Sequence, residues 1–263
     1  MMAQFQSHRL LCYQFAYNDD NYGFLLHDPE SGQTAAIDAG CDKSFLSALA
    51  ERGLSLSHIF ITHHHWDHTD GLAPLKEATG ATVYGPRGTK DKIAALIDVA
   101  LVDGDEIPFA NDVIKIIATP GHTLDMINFY SASNQMLFSG DSLFVLGCGR
   151  LFEGDGPMMH HSLSKLLALP DETVIYSAHE YALGNAAFAE TIEPDNLALR
   201  ERITAIRAKR DKGEPCVPST MAEERATNPF CRADSASIAA HLGMQGASEA
   251  EIFTEIRRRK DVF

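Results

Sequence analysis

Positive charge is scarce in this 263-residue chain: 22 Lys and Arg stand against 36 Asp and Glu, a formal net charge of −14. Such a chain is a poor candidate for nonspecific binding to nucleic acid or to an anionic membrane surface. It also repels anionic small substrates unless basic groups are gathered locally. Cysteine is scarce too. The five residues, Cys12, Cys41, Cys148, Cys216 and Cys231, are odd in number, widely spaced and form no C-x-x-C. That pattern excludes a disulfide framework or a zinc knuckle and fits a reducing compartment. No run of about 18 apolar residues occurs, which excludes a membrane-spanning helix. The opening MMAQFQSHR lacks the apolar stretch of a signal peptide, so the cytoplasm is the expected location. No internal repeat or low-complexity tract occurs.

What remains is ordinary globular composition, 45% hydrophobic and 22% charged, enough to bury a full core. The length allows one large domain, or one large and one small. Leu10 to Phe15, Tyr22 to Leu26 and Thr34 to Ile37 read as short strands between Asn, Asp, Gly and Pro. Ser44 to Arg52 reads as a helix stopped by Gly53. Further strands are expected near residue 60 and over Ala81 to Tyr84, Val113 to Ala118, Met136 to Ser139 and Thr173 to Ser177. The last third changes character. Pro194 to Arg210 reads as a helix with Pro194 at its first position and Leu199, Ile203 and Ile206 on one face. Thr220 with Glu223, and Ser248 with Glu251, match the capping box. A mixed α/β domain over residues 1–179 and a small helical domain over 180–263 are therefore expected.

The most informative run is His63-His64-His65-Trp66-Asp67-His68. Imidazole and carboxylate suit zinc, iron and manganese. The run follows the apolar stretch from His58 to Thr62, so its ligands would sit at the end of a buried strand. A purification tag would be terminal, and this run is internal. A solvated loop or a structural metal site is the blander alternative. Three further strands deliver a candidate ligand in the same way. Val113 to Ala118 leads to His122, Met136 to Ser139 leads to Asp141, and Thr173 to Ser177 leads to His179. Asp141 alone could be a helix cap and His122 the end of a turn. Four strand ends with one outcome point to a single site at one sheet edge.

On these residues the chain resembles the metallo-β-lactamase superfamily, whose T-H-x-H-x-D-H signature matches Thr62 to His68, with T-P-G-H-T, G-D and the final His179 in order. It is similar, more narrowly, to the glyoxalase II (hydroxyacylglutathione hydrolase) family. That match rests on Gly140 to Phe144, Gly147 to Gly154, His179-Glu180-Tyr181, Thr227 to Phe230 and the terminal Arg-Arg-Arg-Lys-Asp. The resemblance runs over nearly the whole chain. It implies an αβ/βα sandwich of two mixed sheets flanked by helices, followed by a small all-α domain that binds the glutathione substrate. It also implies two divalent metals, with zinc first and iron or manganese as alternatives. His63, His65 and His122 would hold one, and Asp67, His68 and His179 the other. Asp141 would bridge them beside a water or hydroxide, with Asp67 and Asp141 serving catalysis. His64 and Trp66 are left for packing or support of the ligands, and Cys148 reads as structural.

The implied substrate is S-D-lactoylglutathione, hydrolysed to D-lactate and glutathione in methylglyoxal detoxification. Such an anion needs local positive charge, and Arg257, Arg258, Arg259 and Lys260 supply it. The plain alternative is a helix C-terminus lined by cations. The resemblance places Arg257 and Lys260 on the glycine carboxylate, Arg150 and the Phe152 position on glutathione, and the Tyr181 hydroxyl near the thiol, beside His179. Three departures stand out. Asp125-Met126 follow Leu124 where many relatives carry Gly-His. Phe152 stands where tyrosine is common, losing a hydroxyl. Arg259 replaces an acidic residue of some relatives, which should strengthen the positive potential. The nearest rival is a mononuclear-iron persulfide dioxygenase on the same fold. Its relatives lack a basic helical C-terminal domain, so the last 80 or so residues argue against it. A small-molecule partner, no nucleic acid, no membrane and a monomeric state complete the expectation.

Overall fold

The computed structural model describes residues 10–263. Two mixed six-stranded sheets form its centre. The first runs in the order Leu11–Tyr17, Asn21–His27, Thr34–Ile37, His58–Phe60, Thr82–Pro86, Val99–Leu101. Its first three strands are antiparallel and its last four parallel. The second runs Ser219–Thr220, Val174–Ser177, Met136–Gly140, Ile127–Ser131, Asp112–Ala118, Glu106–Phe109.

The sheets bury a common core in which Phe24 and Phe60 meet Phe109, Phe129 and Phe138. Phe60 stacks on Phe129 with ring centroids 5.0 Å apart. The outer face of the first sheet is covered by the helices Asp42–Arg52 and Leu72–Thr79, through Phe45, Leu49, Leu72 and Leu75. The outer face of the second sheet is covered by Gly156–Leu167 and Glu249–Asp261, which press Met159, Leu163, Phe253 and Ile256 toward Leu137 and Ile175. Covering both faces explains why Ile127–Ser131 and Met136–Gly140 are buried at every position.

Beyond residue 180 five α-helices and one short 3-10 helix follow. Both capping boxes form: the Thr220 and Ser248 side chains each accept the third helical N–H, and Glu223 and Glu251 reach back. The helix expected from Pro194 begins instead at Leu197, with Asn196 as its cap accepting from the Leu199 N–H. A proline has no side-chain oxygen to satisfy an orphaned first-turn donor, and Asn does. Ala182, Ala186, Leu199 and Ile203 join the inter-sheet core, and Ser219–Thr220 extends the second sheet. The helical part is thus packed continuously onto the sandwich. The Thr-Asn-Pro-Phe motif has a bonding reason: the Asn228 amide donates to the Phe144 and Gly147 carbonyls at 3.3 and 3.0 Å and to Glu224 at 2.9 Å.

Candidate metal centre

Thr34–Ile37 and His58–Phe60 run parallel in one sheet. In the other, Asp112–Ala118 and Met136–Gly140 flank the antiparallel Ile127–Ser131, so those two also share a direction, and Val174–Ser177 runs parallel to Met136–Gly140. Five strand ends therefore open on one edge of the sandwich. They carry Asp38, His63, His122, Asp141 and His179. The short helix Trp66–Thr69 brings Asp67 and His68 to the same edge.

The seven predicted donors come together. His65 Nδ1 lies 3.1 Å from His63 Nε2 and 3.0 Å from His122 Nε2. Asp67 Oδ2 lies 3.3 Å from His68 Nε2 and 3.4 Å from His179 Nε2. Asp141 sits between the two groups. Its Oδ2 is 3.2 Å from His122 Nε2, and its Oδ1 is 3.4 Å from His68 Nε2 and 3.3 Å from His179 Nε2. His68 Nε2 and Asp141 Oδ1 are buried without a hydrogen-bond partner among the described residues. Orphaned polar atoms of this kind are costly to bury. Nitrogen and carboxylate donors converging on them fit a divalent metal, and the chain's chemistry at this edge is metal binding.

Outer bonds aim these rings. His122 Nδ1 donates to the Arg150 carbonyl at 2.8 Å, His68 Nδ1 to Asp38 at 2.8 Å, His179 Nδ1 to Asp20 at 2.9 Å, and His63 Nδ1 to the Thr62 hydroxyl at 3.0 Å. Each bond leaves Nε2 facing inward, as ligating histidines require. Asn21 donates to Asp67 Oδ2 at 3.0 Å. Asp38, Asp20 and Asn21 were not singled out in the sequence. Asp38 carried a usable signal, since it too directly follows an apolar strand. Close packing also demands glycine: a β-carbon on Gly149 would collide with the Asp141 carbonyl and crowd His122.

The two halves differ in charge. Burial pushes His63 and His122 below the ordinary imidazole value, and takes His65 down to about 4. These rings are neutral donors at neutral pH. Burial acts against charge on His68 and His179 as well, but Asp141 overrides it and raises both. Burial would likewise raise Asp141, and His179 and His68 instead hold it well below the carboxylate range. A bound cation takes the place of such protons.

The centre opens into a cavity of about 980 Å³. Arg150, Phe152, Tyr181, Arg257 and Lys260 all line it, together with the buried Cys148. Tyr181 stacks on His179 at 4.8 Å, with ring planes 3° apart. Phe152 stands edge-on to His65 and His122 at 5.5 and 5.3 Å. The basic cluster is less uniform than expected. Arg258 and Arg259 both bind Glu255, so Arg259 adds no charge to the cavity. Arg257 is buried, donating to Asp261 at 2.8 Å and to the Cys148 carbonyl at 3.1 Å. Lys260 has no carboxylate partner among the described residues. It donates to the Gly184 carbonyl at 3.0 Å and lies over the Phe188 and Phe263 rings. Trp66 does not pack inside: it is 65% exposed at the cavity wall.

A sandwich with this seven-donor edge defines a metallohydrolase class, and residues 24–179 match the family model described as "Metallo-beta-lactamase superfamily". Residues 180–263 match "Hydroxyacylglutathione hydrolase C-terminus". A hydroxyacylglutathione hydrolase from Methylococcus capsulatus is 51% identical over 93% of this chain and 95% of its own length. One from Brucella ovis is 49% identical over 97% of this chain and 99% of its own. This chain belongs to the hydroxyacylglutathione hydrolase family. Among solved structures, ETHE1 from Myxococcus xanthus superposes with a TM-score of 0.68 at 28% identity, covering 94% of this chain and 90% of that one. Reach along the chain therefore does not separate ETHE1 from the hydrolases; the degree of identity does. No helix among the described residues is long and apolar enough to cross a membrane.

Proposed function

We infer that this enzyme hydrolyses the thioester of S-2-hydroxyacylglutathiones such as S-D-lactoylglutathione, releasing the hydroxy acid and glutathione. One observation carries the reading: the His/Asp centre and the cations Arg150, Arg257 and Lys260 line a single cavity. Positive charge gathered beside a metal centre in an acidic protein suits a bound anion.

We assign His63, His65 and His122 to one divalent metal, Asp67, His68 and His179 to a second, and Asp141 to both, with zinc as the first choice. Metals held there would acidify a water and polarise the thioester carbonyl. The remaining work falls to the chain. Lys260 and Arg150 hold the glutathione carboxylates, and Arg257 braces that wall through Cys148 and Asp261. Phe152, edge-on to His65 and His122, forms that side of the cavity lining. The Tyr181 hydroxyl, kept protonated because burial pushes it up, is a donor toward the departing sulfur. Thiolate leaves readily, so no strong general acid is required. We place the working division near residue 180, catalysis before it and substrate binding after it. A monomer in a reducing compartment is consistent with five free cysteines. The persulfide dioxygenase reading is less supported, because the relatives near 50% identity are named hydrolases.

The test is release of glutathione from S-D-lactoylglutathione by purified protein, with metal counted on the same sample. Turnover with about two metals per chain is expected. Full metal occupancy without turnover would sink the substrate assignment.

A further inference from the structure

His64 lies between two metal-ligand positions and faces away from the centre. Its side chain is 7% exposed, and Nδ1 donates to Asp125 Oδ1 at 2.9 Å. Its Nε2 faces Glu153 Oε1 at 3.6 Å. Glu153 accepts the Leu124 backbone N–H at 2.8 Å and pairs with Lys90 at 3.1 Å. The Asp125 side chain is only 6% exposed, and its Oδ2 has no hydrogen-bond partner among the described residues. A buried imidazole–carboxylate pair with an unsatisfied oxygen is a poor source of stability. Its worth lies in what it holds in place.

What it holds is His65. Each of the other four histidines of the centre has an outer hydrogen bond from Nδ1. His65 spends Nδ1 inward, toward His63 and His122, and no outer bond from the described residues aims its ring. The His65 ring is set by neighbours instead: His64 edge-on at 5.0 Å on one contact and Phe152 edge-on at 5.5 Å on another. Those two neighbours belong to segments joined through His64, Asp125 and Glu153. We propose that Asp125, acting through His64, is the positioning residue for His65 and so for the His63–His65–His122 half of the centre. The other half hangs on Asp38, Asp20 and Asn21 and is independent of this clamp. The inference rests on the metal assignment made above.

The experiment compares Asp125→Ala, Asp125→Asn and the parent as zinc-loaded enzymes, following chelator-driven release by metal count. In Asp125→Ala, one metal per chain is expected to leave about 10- to 100-fold faster, the range for losing an outer support of a ligand. The second metal should leave at the parent rate. Asp125→Asn keeps the acceptor oxygen and should stay near the parent. kcat should fall in Asp125→Ala with KM little changed. Parent-like release of both metals, or equal acceleration of both, overturns the proposal. Should Asp125→Ala not fold, Glu153→Gln carries the test: selective loss of one metal supports the clamp, and unselective or unchanged loss overturns it. A parent enzyme that turns over the thioester beside an unaffected Asp125→Ala defeats only this inference. A parent without thioesterase activity defeats only the substrate reading, and selective release would still support the clamp.

Discussion

Asp38 accepts from His68 Nδ1 with one carboxylate oxygen at 2.8 Å, and from the Thr62 backbone N–H with the other at 2.8 Å. One buried carboxylate thus ties a ligand ring to the start of the metal-binding loop. Its backbone is in the left-handed region, φ 60°, which Asp and Asn tolerate better than most residues. Asp38→Ala removes the bond and adds backbone strain. Metal affinity should fall about 10- to 100-fold. Competition against a chelator measures it, and Asp38→Asn should lose less.

Asp141 is placed to serve both halves of the centre, one oxygen toward each. Asp141→Ala should lose both metals and reduce kcat by more than the roughly 100-fold upper range for an outer-support loss. Elemental analysis with single-turnover kinetics would show it. A variant that keeps two metals and full activity would refute the bridging assignment.

On the proposed function, Lys260 would hold a part of the substrate that does not react. Lys260→Ala should therefore raise KM about tenfold or less and leave kcat nearly unchanged. A fall in kcat at constant KM would contradict that placement.

The same lysine predicts a pH dependence. Burial lowers its pKa to about 8, with Arg257 adding to the effect. Below that pH it is cationic and, on the proposed function, would bind a substrate carboxylate; above it the charge is lost. KM should climb as pH rises through about 8, and the climb should disappear in Lys260→Arg, which stays charged. A pH–KM profile of the two proteins decides the point.

Asn228 satisfies two carbonyls of the segment that ends in the Gly147-Cys148-Gly149 loop. Asn228→Ala strands them in a fully buried place and should cost about 1–3 kcal/mol of stability. Urea unfolding of the metal-loaded protein measures this, and an unchanged midpoint would show that the bonds are replaceable.

Much of the fold could be read from local pattern. The strands ending near Ile37, Phe60, Ala118, Gly140 and Ser177 announced themselves as apolar runs closed by Gly, Pro, Asp or His. Ile127–Ser131 did not, because the buried polar residues Asn128 and Ser131 interrupt its apolar run. Ser219–Thr220 and Leu143–Phe144 are too short to have a period. Pro194 misled because its fixed backbone suits a helix start, while the Asn196 oxygen does the capping two residues later.

The sequence by itself determined which residues carry donor atoms and that each follows a strand, since strand and loop chemistry are local. It also carried the family likeness, because motif spacing survives without coordinates. The tertiary structure alone decided which donors meet, since parallel strand direction across two sheets sets which loops share an edge. It decided as well that Glu255 neutralises Arg259, that Asp261 occupies Arg257, and that Asp125 reaches His64 across 61 positions. Charge pairing is a matter of distance in space, and no spacing along the chain encodes it.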